Sequence, residues 1–347
     1  MNTKIMVVAV FAVLCASGNC LAAAKKPSTV AELALYKGVD RQKILEEGAR
    51  KEGKLSFYTT GTQAKYIVQA FEKKYPFIKV EAWRANTREV VAKILEEYRA
   101  KKTASDIIGG TDAAGIVLRE ASLLQPFYSP EVPYIEEGAV EKAPGGGVFS
   151  VGHFQSGRGI GYNTKLIKKE ALPKTYQDLL NPKWKGKMPI VGDWGGVVWM
   201  GGILSTLGED FVRKLAQQDF IIHMVSARAL NDMIVAGEYA LSPTISDSHV
   251  AASKQDGAPV DWLALEPVAC NLGQILLHKD ALHPHAAMLF IDFDLSKEAG
   301  EIYKTEGYNT PRTDVANLRK YKMFFGFTSS QEVKRVSDLF DKLFLKK

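Results

Sequence analysis

Apolar residues along this chain fall alternately into short runs and helical repeats. Lys54-Leu55-Ser56-Phe57-Tyr58 reads as a strand, and Ala64, Ile67, Val68 and Phe71 then recur on one helix face. Before them, Asp40 is placed to cap a helix running to about Lys51. Val80 to Trp83 is a second short strand, Val90, Val91, Ile94, Leu95 and Tyr98 mark a helix, and Asp106-Ile107-Ile108 a buried strand. The same alternation resumes after the strongest break, Pro144-Gly145-Gly146-Gly147. Val148 to Tyr162 is extended and Met188 to Val191 is a strand, followed by a glycine-rich turn, Gly192 to Gly196, and a helix toward Leu207. Ser226 caps a helix to Val235, Glu238 to Leu241 is a strand, Ser246-Asp247-Ser248 opens a helix, and Val260 to Leu263 is a strand. Strand and helix signals alternating on both sides of one break predict an α/β protein of two similar regions.

The N-terminus changes the picture of where this chain works. Lys4 precedes an apolar stretch from Ile5 to Leu14, and Leu21-Ala22-Ala23-Ala24 supplies small residues for a cleavage after Ala24. That is the pattern of a secretory signal peptide over residues 1–24. Its apolar core falls short of the roughly 20 residues a spanning helix needs. Ser17-Gly18-Asn19-Cys20 loosely resembles a lipidation site, but Asn19 fits poorly beside the cysteine. Cleavage removes Cys15 and Cys20 and leaves Cys270 alone, so the mature chain has no internal disulfide despite export. Cys270, in Val268-Ala269-Cys270, reads as a buried small hydrophobe.

Charge excludes more than it assigns. The net charge of +6 falls to about +5 when Lys4 is removed, and the basic residues are mixed with acids. No basic block points to nucleic acid, and anionic ligands stay compatible. Neither a His-Glu-x-x-His pattern nor a cysteine cluster suggests a metal enzyme. His283 and His285 flank Pro284 as a solvated helix start. Ser156-Gly157-Arg158-Gly159 matches neither a nucleophile elbow nor a phosphate loop, which argues against an exported hydrolase. No cofactor is expected.

The polar turns after the strands carry the chemistry. Each places the free N–H groups of a helix start at the carboxyl edge of a sheet, where open α/β sheets bind ligands. Any one of them is ordinary capping. Several, in two facing regions behind an export signal, suit a cleft for a small polar solute. The candidates are Thr59, Thr60 and Gly61; Thr111 and Asp112; Trp194, Gly195 and Gly196; Ser226 and Arg228; and Ser246 and Asp247. Arg84 follows the strand whose Val80 and Ala82 are expected to point inward, and its guanidinium would grip an acidic group together with the helix start near Thr60. Trp194 is expected either to stack on the ligand or to pack between lobes.

Leu55-Ser56-Phe57-Tyr58-Thr59-Thr60, Gly161-Tyr162-Asn163-Thr164-Lys165, the run Leu172 to Lys187 containing Asn181-Pro182-Lys183-Trp184, Ala236-Gly237-Glu238-Tyr239, Gly257-Ala258-Pro259-Val260 and His283 to Phe293 occur in a telling order. In them the chain resembles the type II periplasmic solute-binding proteins of ABC transporters, particularly the ferric-iron, thiamine and phosphonate group. The resemblance implies two α/β lobes, each a mixed sheet flanked by helices, joined by two hinge strands near Gly152 to Tyr162 and Cys270 to Leu276. Lobe 1 would be 28–150 with 271–347, and lobe 2 would be 151–270. It further implies a periplasmic monomer that closes on a ligand and docks on an inner-membrane ABC permease. The Asn181-Pro182-Lys183-Trp184 segment would be a structural surface turn. Iron-binding members hold ferric ion with adjacent tyrosinates shortly after the Gly-Glu strand, but Asp247 and Ser248 stand at those positions here. An organic or oxyanionic solute is therefore expected, with ferric iron as the alternative.

Overall fold

The structure is a computed structural model that describes residues 27–321, 323–327 and 329–345. The signal-peptide reading, with Cys15 and Cys20, lies outside the described residues. The elements in order are α1 (Val30–Ala34), α2 (Arg41–Glu52), β1 (Lys54–Thr59), α3 (Ala64–Lys74), β2 (Lys79–Arg84), α4 (Thr87–Arg99), β3 (Ile107–Thr111) and α5 (Asp112–Glu120). A hairpin of β4 (Val140–Lys142) and the long β5 (Val148–Asn163) follows, then β6 (Pro189–Val191), α6 (Trp194–Ala216), β7 (Ile221–His223), α7 (Ala227–Ala236), β8 (Leu241–Ser246), α8 (Asp247–Gln255) and β9 (Val260–Leu263). The chain closes with β10 (Val268–Leu277), α9 (Pro284–Asp294), α10 (Lys297–Thr305), β11 (Met323–Phe325) and α11 (Ser330–Phe340).

β5 and β10 organise everything else. They pair antiparallel from Arg158↔Ala269 to Ser150↔Leu276. Beyond them the sheet runs β2-β1-β3-β10-β5-β4 at one end, while β8 and β9 join β5 and β11 joins β10 at the other. β6 and β7 form a separate parallel pair. Each half buries apolar side chains on both faces, as period-two strands require. Leu55, Phe57, Ile107, Ile275 and Leu277 enter one cluster with α9, and Tyr58, Ile108 and Leu276 the opposite one with Val90 and Ile94 of α4. In the other half, Ile160, Ile190 and Leu241 meet α6, while Val191, Ile245 and Val260 meet Leu230 and Ile234 of α7. Each fully buried Leu or Ile contributes about 1.5–3 kcal/mol. Val336 and Phe340 of α11 and Phe344 beyond it join the α6 cluster.

Several sequence expectations shift. Ala82 is exposed beside buried Val80, because β2 is the outermost strand of the sheet, while the adjacent Trp83 still packs on the Tyr58 cluster. Gly192 to Gly196 is no free turn: the Asp193 carboxylate accepts from the Gly195 amide at 2.8 Å and starts α6 at Trp194. Gly196 is needed for a close approach, since a Cβ there would lie 2.2 Å from the Val191 carbonyl oxygen. The strand expected at Glu238 to Leu241 begins at Leu241 instead. α7 ends in left-handed Gly237 (φ 84°), and the Glu238 amide still donates to the Met233 carbonyl. Gly145, Gly146 and Gly147 all take positive φ, as the β4–β5 turn demands.

Candidate functional site

A cleft of about 650 Å³ opens where the strand ends of the two halves face each other. Six helices present their first residues to it: α3 through Gly61, Thr62 and Gln63, α4 through Asn86 and Thr87, α5 through Thr111, α6 through Asp193, Trp194 and Gly195, α7 through Ser226, and α8 through Ser246 and Ser248. The local sequence explains each start. Asn86, Thr111 and Ser226 cap their helices through side-chain oxygens that accept from Glu89, Ala114 and Ala229 amides. Remaining free N–H groups and the positive ends of the helix dipoles favour an anion here.

Side-chain charge agrees. Arg84, Arg88, Arg158 and Arg228 line the cleft, against the carboxylates of Glu89 and Asp193. Glu89 closes the capping box of α4, Asp193 caps α6, and Arg228 pairs with Asp232 at 3.1 Å. His249 adds no charge, because burial and the nearby Arg158 and Arg228 push its ring down to about 3. Burial also pushes the Asp193 carboxyl up, against the opposing pull of Arg158 and Arg88.

Arg158 is the central cation. It projects from β5, is 8% exposed, and donates through Nη1 to the Thr244 carbonyl at 3.3 Å. Its Nε is buried without a partner. A Cβ at Gly195 would stand 3.1 Å from the guanidinium, so the missing side chain lets Arg158 reach the start of α6. Burial lowers its proton affinity, with Asp193 and Asp247 resisting that shift. A desolvated guanidinium thus stands against a helix start with a donor left open to the cleft.

Orphaned polar atoms concentrate in the same place. Thirteen buried side-chain nitrogens and oxygens lack a hydrogen bond among the described residues. Five belong to cleft residues: Gln63 Oε1, Arg158 Nε, Trp194 Nε1, His249 Nδ1 and Asn271 Oδ1. Buried polar groups without partners are costly, so their gathering in one cavity marks it for a polar occupant.

Of the residues singled out from the sequence, Thr60, Gly61, Arg84, Thr111, Trp194, Gly195, Ser226, Arg228 and Ser246 line this cleft. Thr59, Asp112, Gly196 and Asp247 do not. Thr59 is buried and its Oγ1 accepts from the Gly61 amide at 3.1 Å. Asp112 turns into the protein toward the Ala113 and Phe327 amides, and burial pushes its carboxyl up to about 6. Asp247 is fully buried and takes Ser156, the Gly157 amide, Arg319 and Tyr321 as donors. Trp194 rests on Phe327 with ring centroids 5.3 Å apart while its edge lines the cleft. Sequence reasoning missed Gln63, Arg88, Arg158, Asn271 and Tyr308. Arg158 alone left a signal, a lone cation between two glycines in an otherwise buried strand.

Arg84 is exposed at the rim and has no ion pair among the described residues. Its replacement by alanine should therefore weaken capture of an acidic ligand roughly tenfold, and lysine should not restore it. Calorimetric titration checks this; unchanged affinity in both folded variants removes Arg84 from the site.

Two α/β halves, joined by a pair of long antiparallel strands and enclosing a polar cleft, define a solute-binding receptor. This chain belongs to the bacterial extracellular solute-binding protein family, whose model matches residues 145–324. A relative from Haemophilus influenzae (strain Rd), itself described as uncharacterized, is 25% identical over 272 residues, 75% of this chain and 78% of its own. The fold is shared with the periplasmic binding protein AfuA from Actinobacillus pleuropneumoniae, solved with fructose-6-phosphate bound (TM-score 0.72, 23% identity, 85% of this chain and 100% of that one). It is shared equally with iron-bound HitA from Pseudomonas aeruginosa (TM-score 0.71, 18% identity, 84% and 99%). The two-lobe fold is thus common to receptors of different ligands.

Proposed function

We propose that this chain is the periplasmic receptor of an ABC importer and captures a small organic anion between its lobes. The observation that carries this reading is a cleft lined by six helix starts together with buried Arg158, whose Nε has no partner among the described residues. A carboxylate or phosphonate-like group fits those donors, and its arrival from lobe 2 to lobe 1 would close the hinge formed by β5 and β10. We assign residues 28–150 and 271–347 to the first lobe and residues 151–270 to the second. The mature protein, beginning near Lys25, docks as a monomer on an inner-membrane permease.

Ferric iron fits this cleft poorly. Tyr308 is the one tyrosine among its lining residues, and Asp247, at a tyrosinate position of the iron-binding relatives, is saturated by four donors. A hard trivalent ion requires several anionic oxygens. In a thermal-shift screen, organic acids should raise the melting temperature where their uncharged analogues do not. Ferric citrate should leave the protein colourless. A stable visible phenolate-to-iron band, or stabilisation by neutral analogues alone, overturns the reading, and chemical change of the recovered ligand would turn it toward an enzyme.

A further inference from the structure

We infer that the captured solute carries two acidic groups, set apart along the molecule so that each lobe holds one. This rests on the anion reading and names the class of anion. Four arginines line the cleft, and their surroundings divide them. Arg228 is paired at 3.1 Å with Asp232, one turn further along α7, so its charge is met within its own helix. Arg158 stands on β5 against the start of α6, buried, with Nε unpartnered among the described residues. Arg84 and Arg88 belong to the other lobe, one at the end of β2 and one in the first turn of α4. Both are exposed, and neither has a hydrogen bond or ion pair among the described residues.

The protein's own carboxylates leave both places open. Glu89 follows Arg88 directly but turns back to accept from the Asn86 amide at 3.3 Å, closing the capping box of α4. Asp193 accepts from the Gly195 amide at 2.8 Å, and neither Arg158 nor Arg88 forms an ion pair with it, although it feels both charges. No acid stands between Arg84 and Arg88 in the chain. Guanidinium groups grip carboxylates and phosphonates through paired N–H donors, so each place suits one acidic group. One carboxylate answers one place and leaves the other uncompensated. A cleft of about 650 Å³ has the size of a site for a whole organic molecule, which gives two groups room to lie apart. The rival use of Arg88 is a direct pair with Asp193 as the lobes close, and it predicts a different response to substitution.

Calorimetric titration of the mature protein with matched probes tests this: succinate against butyrate, glutarate against pentanoate, adipate against hexanoate, and 3-phosphonopropanoate against propylphosphonate. The salt is held at about 0.15 M, where exposed charges more than ~8 Å apart are largely screened. At least one diacid should bind ~10-fold or more tighter than its monoacid, the scale of one added charge-assisted pair. Affinity across the dicarboxylates should peak at one chain length, since two fixed places select a spacing. The double variant Arg84→Ala/Arg88→Ala should erase most of the diacid's advantage. Equal binding within every pair, or a double variant that weakens both members alike, as an Arg88–Asp193 contact requires, overturns the inference while the anion reading stands. If no probe binds, both fall together.

Discussion

Replacing Arg158 by methionine should reduce ligand affinity on the order of 100- to 1000-fold while leaving the unliganded protein as stable as before or more so. The two effects separate because Arg158 is a desolvated cation whose one hydrogen bond among the described residues goes to the Thr244 carbonyl. Without ligand its burial is a cost that Asp193 and Asp247 offset only in part. With an oxyanion in place its open Nε becomes a charge-assisted donor. Truncating one partner of a buried hydrogen-bonded charge pair costs about 2–5 kcal/mol in binding, which sets the predicted range. Methionine keeps the volume of the stem, so packing against Gly195 survives. Lysine should recover little, because it cannot present two parallel donors. Titration and thermal melting on the same preparations check both halves. Affinity within twofold of wild type, or a collapse in stability equal to the binding loss, would sink this assignment.

Asp247→Ala is expected to act in the opposite way, lowering unfolding stability by about 3 kcal/mol. The removed carboxylate is the shared acceptor for β5, through Ser156 and the Gly157 amide, and for the C-terminal segment, through Arg319 at 3.0 Å and Tyr321 at 2.7 Å. Its loss leaves those donors facing a cavity. Arg319 keeps partial access to water, which places the effect at the low end of the 3–5 kcal/mol range for broken buried pairs. An aspartate serving only as a helix start would cost about 0.5–2 kcal/mol. Urea unfolding separates the two, and a loss below 1 kcal/mol would return Asp247 to the ordinary role.

Much of the fold was legible because its signals are local. Leu55 and Phe57 alternate with Ser56 and Tyr58, and Ile67 and Phe71 lie four residues apart, so β1 and α3 follow from strand and helix periodicity. Where local signals ended too early, context decided. The Gly237 cap kept Glu238 tied to α7, and the edge position of β2 left Ala82 in solvent.

The candidate site divides along the same line. Residues that open helices, such as Thr60, Thr111, Gly195, Ser226 and Ser246, could be found from sequence, because a strand followed by a capping turn puts its last residues at the sheet's carboxyl edge wherever it occurs. That rule says where a residue stands, not which way its side chain turns. Thr111 reaches the cleft and its neighbour Asp112 faces inward to the Phe327 amide, a partner 215 positions further along. Ser246 lines the cleft while Asp247 turns to Arg319 and Tyr321. By itself, then, the sequence determined the alternation of elements, the two-region α/β plan and the ring of helix starts, all set by contacts within a few residues. Only the tertiary structure decided that Arg158, Asn271 and Tyr308 line one cleft: the pairing of β5 with β10 brings Ser156 beside Asn271, and long-range packing places Tyr308 against Thr62. Periodicity cannot encode such a meeting, because each of these residues is chosen by the cavity it faces and not by its neighbours in the chain.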